Sequence, residues 1–427
     1  TVVVTGTPQV VEKVVEKAPT TPVQISWFDW DIGTNAPQEI VKIFMEDYPH
    51  IQVEVQGAPG GEYYQKLQTL LAAGIAPDVL NFQSWRWQPF AKRKSIQPIE
   101  DLVERDNWRV PFAERWAKLW EPQIFFRGRL YAEPYNTAPM VMFYLKDRFD
   151  EAGIPYPTAD WTEDEFKDLC VKLTYEKGGI KYYGYQSNTS YERLACWMRM
   201  NGEKEWDTEN EPRKALWTQP TIVDALQWQL YECFNTLKVS PTPADIQGGT
   251  NQIQTGHAAM KMEGAWFLPQ MQGPKAAVEG GIRFDVVAMP KGKDGRRHMG
   301  FAHVQTINAA TRNLEAAWTL LKYIGDEKAQ RLWSEMTGRQ PNNPDFIERF
   351  WAPKAREQFN FENTQAFIDA MDTGIVHVTG LYDITIYNEI FNPFRDAVVA
   401  GKATVPELID GVNKALQAMC DEYWAEG

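Results

Sequence analysis

Cysteine is scarce in this 427-residue chain: Cys170, Cys196, Cys233 and Cys420 lie far apart, with no C-x-x-C pair among them. That spacing gives no support to a zinc site or thioredoxin-like redox chemistry. Buried structural thiols are the expected reading, with a long-range disulfide as the alternative. The five histidines, His50, His257, His298, His303 and His377, form neither H-E-x-x-H nor a helical pair that would chelate a metal. Long apolar runs are missing as well. The longest, Ala138–Leu145, is broken by Pro139 and falls far short of the ~20 residues that span a bilayer. Positive charge is in deficit, with 44 Lys and Arg against 57 Asp and Glu. The resulting net charge of −13 has the wrong sign for gripping nucleic acid through its phosphates. Signatures of catalysis are absent too: there is no G-x-S-x-G elbow, no Walker A loop and no G-x-G-x-x-G.

What is present is a chain long enough for two or three domains at roughly 100–200 residues each. Its 44% hydrophobic and 24% charged residues exclude wholesale disorder. Aromatic residues are conspicuous, with 17 Trp, 17 Tyr and 21 Phe. The first 22 residues stand apart: they contain no aromatic residue and repeat V-V-E-K at Val10–Lys13 and Val14–Lys17. Such a segment lacks the side-chain variety to fill a core, and residues 1–22 are expected to form a flexible tether on a chain whose leader has been removed.

From Val23 onward the pattern is α/β. Val23–Phe28, Ile51–Gln56 and Asp78–Phe82 read as strands, and Pro37–Tyr48 and Glu62–Ala73 as helices between them. This alternation predicts parallel pairing with crossover helices, and a ligand outside the carboxyl ends of the strands. Two aromatic-rich loops end there, Phe28–Asp31 and Ser84–Trp87. Further on, Met140–Leu145 reads as a buried strand, and Thr162 with Glu165 forms a capping box for a helix through Leu173. Pro220–Leu237 reads as helix, Arg283–Ala288 and Val304–Asn308 as strands, and Asn313–Trp424 as mostly helices. Helices return late beside strands formed early, so the chain is expected to divide its lobes discontinuously.

Several residues invite a functional reading. Asp29 and Asp31 are two apart; they are open to catalysis, to hydrogen bonding of a ligand, or to loop capping, and Ile32-Gly33 directly after them does not continue a calcium loop. Lys92-Arg93-Lys94 reads as a solvated helix end, with partner contact as the alternative. Trp228, Trp318, Trp333 and Trp424 fall within helical patterns, where packing is the default. Trp27, Trp30, Trp85, Trp87 and Trp266 lie at strand ends or Gly-flanked turns, where a rigid ring has less packing to gain. A flat ring covering the C–H face of a sugar, with Asp, Asn and Arg bonding its rim, would suit those positions.

The same residues carry a family resemblance. Phe44-x-x-Asp47-Tyr48-Pro49-His50-Ile51-x-Val53-x-Val55, and Tyr63-x-x-Lys66-Leu67 leading to Leu71-Ala72-Ala73-Gly74-x-x-Pro77-Asp78-Val79, resemble extracellular solute-binding proteins of family 1, the maltose-binding-protein-like sugar receptors of ABC importers. So do Gly128–Pro134, Asn136–Phe149, Asp150–Pro155 with Trp161, Gly256–Met260 to Gly264-Ala265-Trp266, Met289–Gly292 and Ala316–Trp318. Departures are Leu145 where Asn is usual and Asp160 where Thr is usual.

The resemblance implies an α/β, two-lobe periplasmic-binding-protein-like fold of type II, its discontinuous lobes joined by a hinge near Pro134–Pro139 and Gly300–Gln305. Lobe 1 would comprise residues 23–136 and 304–338, and lobe 2 residues 137–303 and 339–427. The matching ligand positions are Asp29, Trp30, Asp31, Trp85, Arg86, Trp87, Asn136, Thr137, Trp266, His303, Arg339 and Tyr387, with no catalytic residue, no metal and no cofactor. The implied function is an extracytoplasmic receptor, monomeric and lipid-anchored through the tether, that delivers a mono- or oligosaccharide to ABC permease subunits. The alternatives are a receptor for a polyamine, metal or phosphate ester, or a carbohydrate-active enzyme.

Overall fold

The computed structural model describes residues 22–108, 116–246, 251–272, 281–377, 380–381 and 386–426. The expected tether therefore lies outside the described residues, apart from Pro22. Strand Val23–Asp29 pairs in parallel with Ile51–Gly57 and with Val79–Gln83, linked by helices Ala36–Asp47 and Gly60–Ala72. The first helix has Pro37 in its opening turn and buries Ile40, Val41 and Phe44, which recur at helical spacing on one face.

Two long strands tie this sheet to the rest of the protein. Val79–Gln83 pairs antiparallel with the second half of His298–Asn308, whose middle pairs antiparallel with the first half of Glu133–Leu145. The second half of Glu133–Leu145 pairs with Ala258–Gly264 and Phe284–Val287, and Ala258–Gly264 continues to Ile180–Tyr185. Every residue of both long strands is buried. One hydrophobic core gathers Trp27, Phe44, Leu67, Trp318 and Trp333; another gathers Phe166, Trp197, Trp217, Met260 and Tyr423.

The predicted strand Met140–Leu145 begins seven residues earlier, at Glu133. Pro134, Asn136, Thr137 and Pro139 obscure it in sequence, since proline removes ladder donors. Pro134 is tolerated where the register shifts between His303 and Val304, opposite Asn136 and Pro134, and Pro139 stands opposite Gly300. Val304–Asn308 is likewise the end of a longer strand, His298–Asn308. The capping box is formed: Glu165 N–H donates to Thr162 Oγ1 at 3.3 Å, and Thr162 N–H to a Glu165 carboxylate oxygen at 2.7 Å. The predicted helix Pro220–Leu237 runs from Pro220 to Thr236 and widens from Gln227 to Thr236 into i→i+5 turns.

Two expectations are corrected. Trp27 belongs to the core: it is fully buried, and its indole N–H donates to Gln305 Oε1 at 3.1 Å. Lys92 leaves its solvated run. Its Nζ lies 3.6 Å from the ring centre of Tyr423 and donates to the Tyr423 carbonyl, a partner 331 residues away that local sequence does not reveal. All four cysteines are buried and free. No helix among the described residues is long and apolar enough to cross a membrane.

Candidate ligand-binding cleft

A cavity of about 220 Å³ opens where the two long strands cross. Met140 comes from the first of them, and Phe301 and His303 from the second. Phe301 and His303 are two apart on a strand, so both side chains point to the same face. Trp30, Tyr64, Gln83 and Trp85 line it from the first sheet and its loops, Glu192, Arg193 and Trp266 from the opposite side, and Arg339 lines it as well.

The rings form a continuous lining. Trp30 meets Tyr63 and His303 edge-on, with centroids 5.1 and 4.9 Å apart. Trp266 lies 5.8 Å from Phe301 at 36°. Trp85 is held between Phe301, edge-on at 4.7 Å, and His377, stacked at 5.2 Å. Trp266 owes its pose to Gly264: a Cβ there would fall 2.0 Å from the indole Cζ3. The Gly264 backbone is extended, so the ring above it, and not a special φ, demands glycine.

The charged groups come in matched sets. Helix Glu327–Thr337 ends at Gly338 in the left-handed region (φ 72°), and the chain then enters the short strand Gln340–Pro341. Arg339, between the two, holds Asp31 with both terminal nitrogens, Nη2 to Oδ1 at 2.9 Å and Nη1 to Oδ2. Across the cavity Arg193 donates to Glu192 at 2.9 Å and to Glu263 at 2.6 Å, and Lys261 lies 3.0 Å from Glu263. Burial raises the Glu263 carboxyl, but the charges of Arg193 and Lys261 outweigh it and bring it down to about 2. Burial, then the Arg339 charge, hold His303 well below the usual imidazole range, so its ring is neutral.

Asp29 is fully buried, and among the described residues its hydrogen-bond donors are neutral: the Asp31 N–H at 2.7 Å and Asn81 Nδ2 at 2.6 Å. Burial, and then the Asp31 charge, push it up to about 8; burial raises Asp31 as well, but the Arg339 charge beside it pulls that carboxyl part of the way back. The proton therefore sits on Asp29. Asn81 Oδ1 has no partner among the described residues, so a turn of that amide lets it accept this proton. An unfolded Asp titrates near ~3.9, and the folded chain binds the extra proton between that value and about 8. Stability should then fall as pH rises through the window. The thermal midpoint is expected to drop from pH 5 to pH 8, and Asp29→Asn to reduce the slope. Some slope should remain, because burial also raises Glu133. A slope unchanged in the variant would place the proton elsewhere.

Of the residues singled out in sequence, Trp30, Trp85, Trp266, His303 and Arg339 meet at the cavity. Asp29 and Asp31 lie behind it. Arg86 sits between the rings of Tyr64 and Tyr387, 4.5 and 5.2 Å from their centres, and the Tyr387 hydroxyl donates to Glu192 at 2.6 Å. Three others are not brought there. Trp87 is fully buried with its indole N–H on the Gln123 carbonyl at 2.8 Å. Asn136 accepts from the His303 N–H at 3.2 Å, and Thr137 donates to the Pro341 carbonyl at 3.0 Å, so both tie strands together. Sequence reading missed Tyr64, Glu192, Arg193 and Phe301. Phe301 had a signal, its two-residue offset from His303. Glu192 and Arg193 had none, being an ordinary charged pair at a helix start. Among the described residues no group of three His, Cys, Asp or Glu side chains is placed to hold a metal.

The sequence profile of the bacterial extracellular solute-binding proteins matches residues 30–331, and the chain belongs to that family. A putative binding protein of Brucella abortus (strain 2308) is 23% identical over 320 residues, 72% of each chain. An ABC substrate-binding protein of Listeria monocytogenes, solved in complex with cycloalternan, is similar over 93% of this chain and 98% of its own, with a TM-score of 0.80 and 21% identity. A solute-binding protein of Thermotoga lettingae, solved with alpha-D-tagatose, is similar over 93% of this chain and 100% of its own, with a TM-score of 0.75 and 22% identity. The fold is thus the α/β, two-lobe type II periplasmic-binding fold.

Proposed function

We propose that this protein is an extracytoplasmic carbohydrate receptor that hands its ligand to the permease of an ABC importer without altering it. Residues 23–136 and 304–338 form one lobe, 137–303 and 339–427 the other, and the sugar is held between them. The observation that carries this reading is the cavity at the strand crossing, lined by the aromatic rings of Trp30, Trp266 and Phe301 beside polar groups held in fixed hydrogen bonds. Cycloalternan and alpha-D-tagatose, bound by similar proteins, are both carbohydrates. The ligand would act by population shift, favouring the closed arrangement because it touches both lobes only there. Residues 1–22, low in complexity and free of aromatic residues, would tether a monomeric receptor to the membrane surface through a lipid.

Thermal shift across a saccharide panel tests the reading. A ligand at 100 times its dissociation constant should add about 2.7 kcal/mol of stability. Chromatography of the sugar after prolonged incubation should recover it intact. Steady turnover would make the protein an enzyme, and a midpoint raised by a polyamine or phosphate ester but by no sugar would end the carbohydrate reading.

A further inference from the structure

Taking the carbohydrate reading as given, we infer that the cleft is built for one neutral sugar ring, and that it rejects both longer saccharides and charged sugars. Size is the first ground. At about 220 Å³ the cavity is smaller than the ~300–1,000 Å³ of pockets that hold drug-sized ligands. A single ring with its hydroxyls suits that space; a disaccharide would need the cavity to continue along the groove between the lobes.

Among the described residues, a wall stands between the lobes on the Trp85 side of the cavity. Trp85 stacks on His377, and Arg86 is wedged between Tyr64 of the first lobe and Tyr387 of the second. Tyr387 is in turn fixed by its hydrogen bond to Glu192, a residue that lines the cavity. A second sugar unit extending that way would have to separate both stacks. Tyr64, Trp85 and Arg86 come early in the chain and His377 and Tyr387 late, so the wall is joined by tertiary contact alone.

Charge is the third ground. Arg339 faces Asp31, and Arg193 and Lys261 face Glu192 and Glu263, one carboxylate for each cation. Arg86, the cation of the wall, is not a lining residue and is held against two rings. A carboxylate or phosphate on the ligand would find the charge of each lining guanidinium already matched by a carboxylate. A ligand cation would find the carboxylates engaged. Either would lose its hydration without gaining a counter-charge. A neutral polyol loses little by comparison, and its hydroxyls can both donate and accept at the edges of these pairs.

Isothermal titration of the whole chain against defined probes tests this. One set is neutral monosaccharides (D-glucose, D-galactose, D-fructose, D-xylose); a second is maltose, cellobiose, sucrose and maltotriose; a third is D-glucuronate and glucose 1-phosphate; a fourth is sn-glycerol 3-phosphate and spermidine. The tightest ligand is expected in the first set, with charged sugars weaker by about 100-fold or more, the cost of a charge left uncompensated. In Arg86→Ala, which opens the wall, the affinity ratio of disaccharide to monosaccharide should rise by about tenfold. Tightest binding in the second or third set would overturn the inference while leaving a carbohydrate receptor. A response confined to the fourth set would overturn both. An unchanged ratio in Arg86→Ala would remove the wall from the account of specificity.

Discussion

Replacing Asp31 by Asn is expected to cost about 3–5 kcal/mol of folding stability, the price of leaving a buried cation without its partner. The Arg339 side chain is 14% exposed and that of Asp31 9%, so water screens the pair little. The bidentate grip satisfies both terminal nitrogens of the guanidinium, while Arg339 Nε already lacks a partner among the described residues. An asparagine can return one hydrogen bond but no charge. The double substitution Asp31→Asn/Arg339→Met should recover most of the loss, since a buried ion pair replaced by groups of similar volume is often near neutral. Urea denaturation of the wild type and these variants at pH 7 measures both numbers. A loss below about 1 kcal/mol for Asp31→Asn would mean that the pair is solvated like a surface salt bridge. The protonated neighbour gives a second signature: with the Asp31 charge gone and Arg339 unpaired, Asp29 should ionise more easily, so the penalty should shrink as pH rises.

The second large effect concerns Trp266. If its ring covers a sugar face, Trp266→Ala should weaken sugar binding by about 1–3 kcal/mol, the scale of stacking a flat ligand on an aromatic side chain. Folding stability should fall by less than the ~3–5 kcal/mol of truncating a core aromatic, because Trp266 is only half-buried. Gly264→Ala offers an independent route to the same result. Its methyl would stand 2.0 Å from the indole Cζ3 and 2.3 Å from Cη2, so the ring must move off its seat while its chemistry is untouched. The two single variants should therefore lose similar affinity, and the double variant little more than either, since both remove one interaction. Additive losses would show that Gly264 acts on something other than the ring. Strong destabilisation with full affinity in the folded fraction would make Trp266 a packing residue.

Local pattern determined a great deal here. Strand–helix–strand alternation from Val23 to Gln83, the capping box at Thr162 and the half-buried Trp266 after Gly264 could all be read in order along the chain. Each depends on neighbours a few residues away: helical spacing, a reciprocal cap, a ring folded over the glycine two positions before it. The crossing points near Pro134–Pro139 and Gly300–Gln305 were legible through family resemblance. They hid from periodicity, because a strand buried on both faces does not alternate and proline disguised its first half. Tertiary structure alone decided which tryptophan of the Ser84–Trp87 loop lines the cavity. Trp85 and Trp87 sit in one short loop with nearly the same sequence context, yet Trp85 reaches the cavity between Phe301 and His377 while Trp87 turns inward to the Gln123 carbonyl. Nothing within that loop distinguishes them; the partners that do are 36 to 292 residues away. The same holds for charge. Asp31 reads as a ligand-bonding acid until Arg339, 308 residues later, occupies both its oxygens, and Asp29 reads as its equal until burial keeps its proton. A side chain's role in a buried site is set by what neutralises it and what excludes water from it, and those neighbours meet only when the chain has folded.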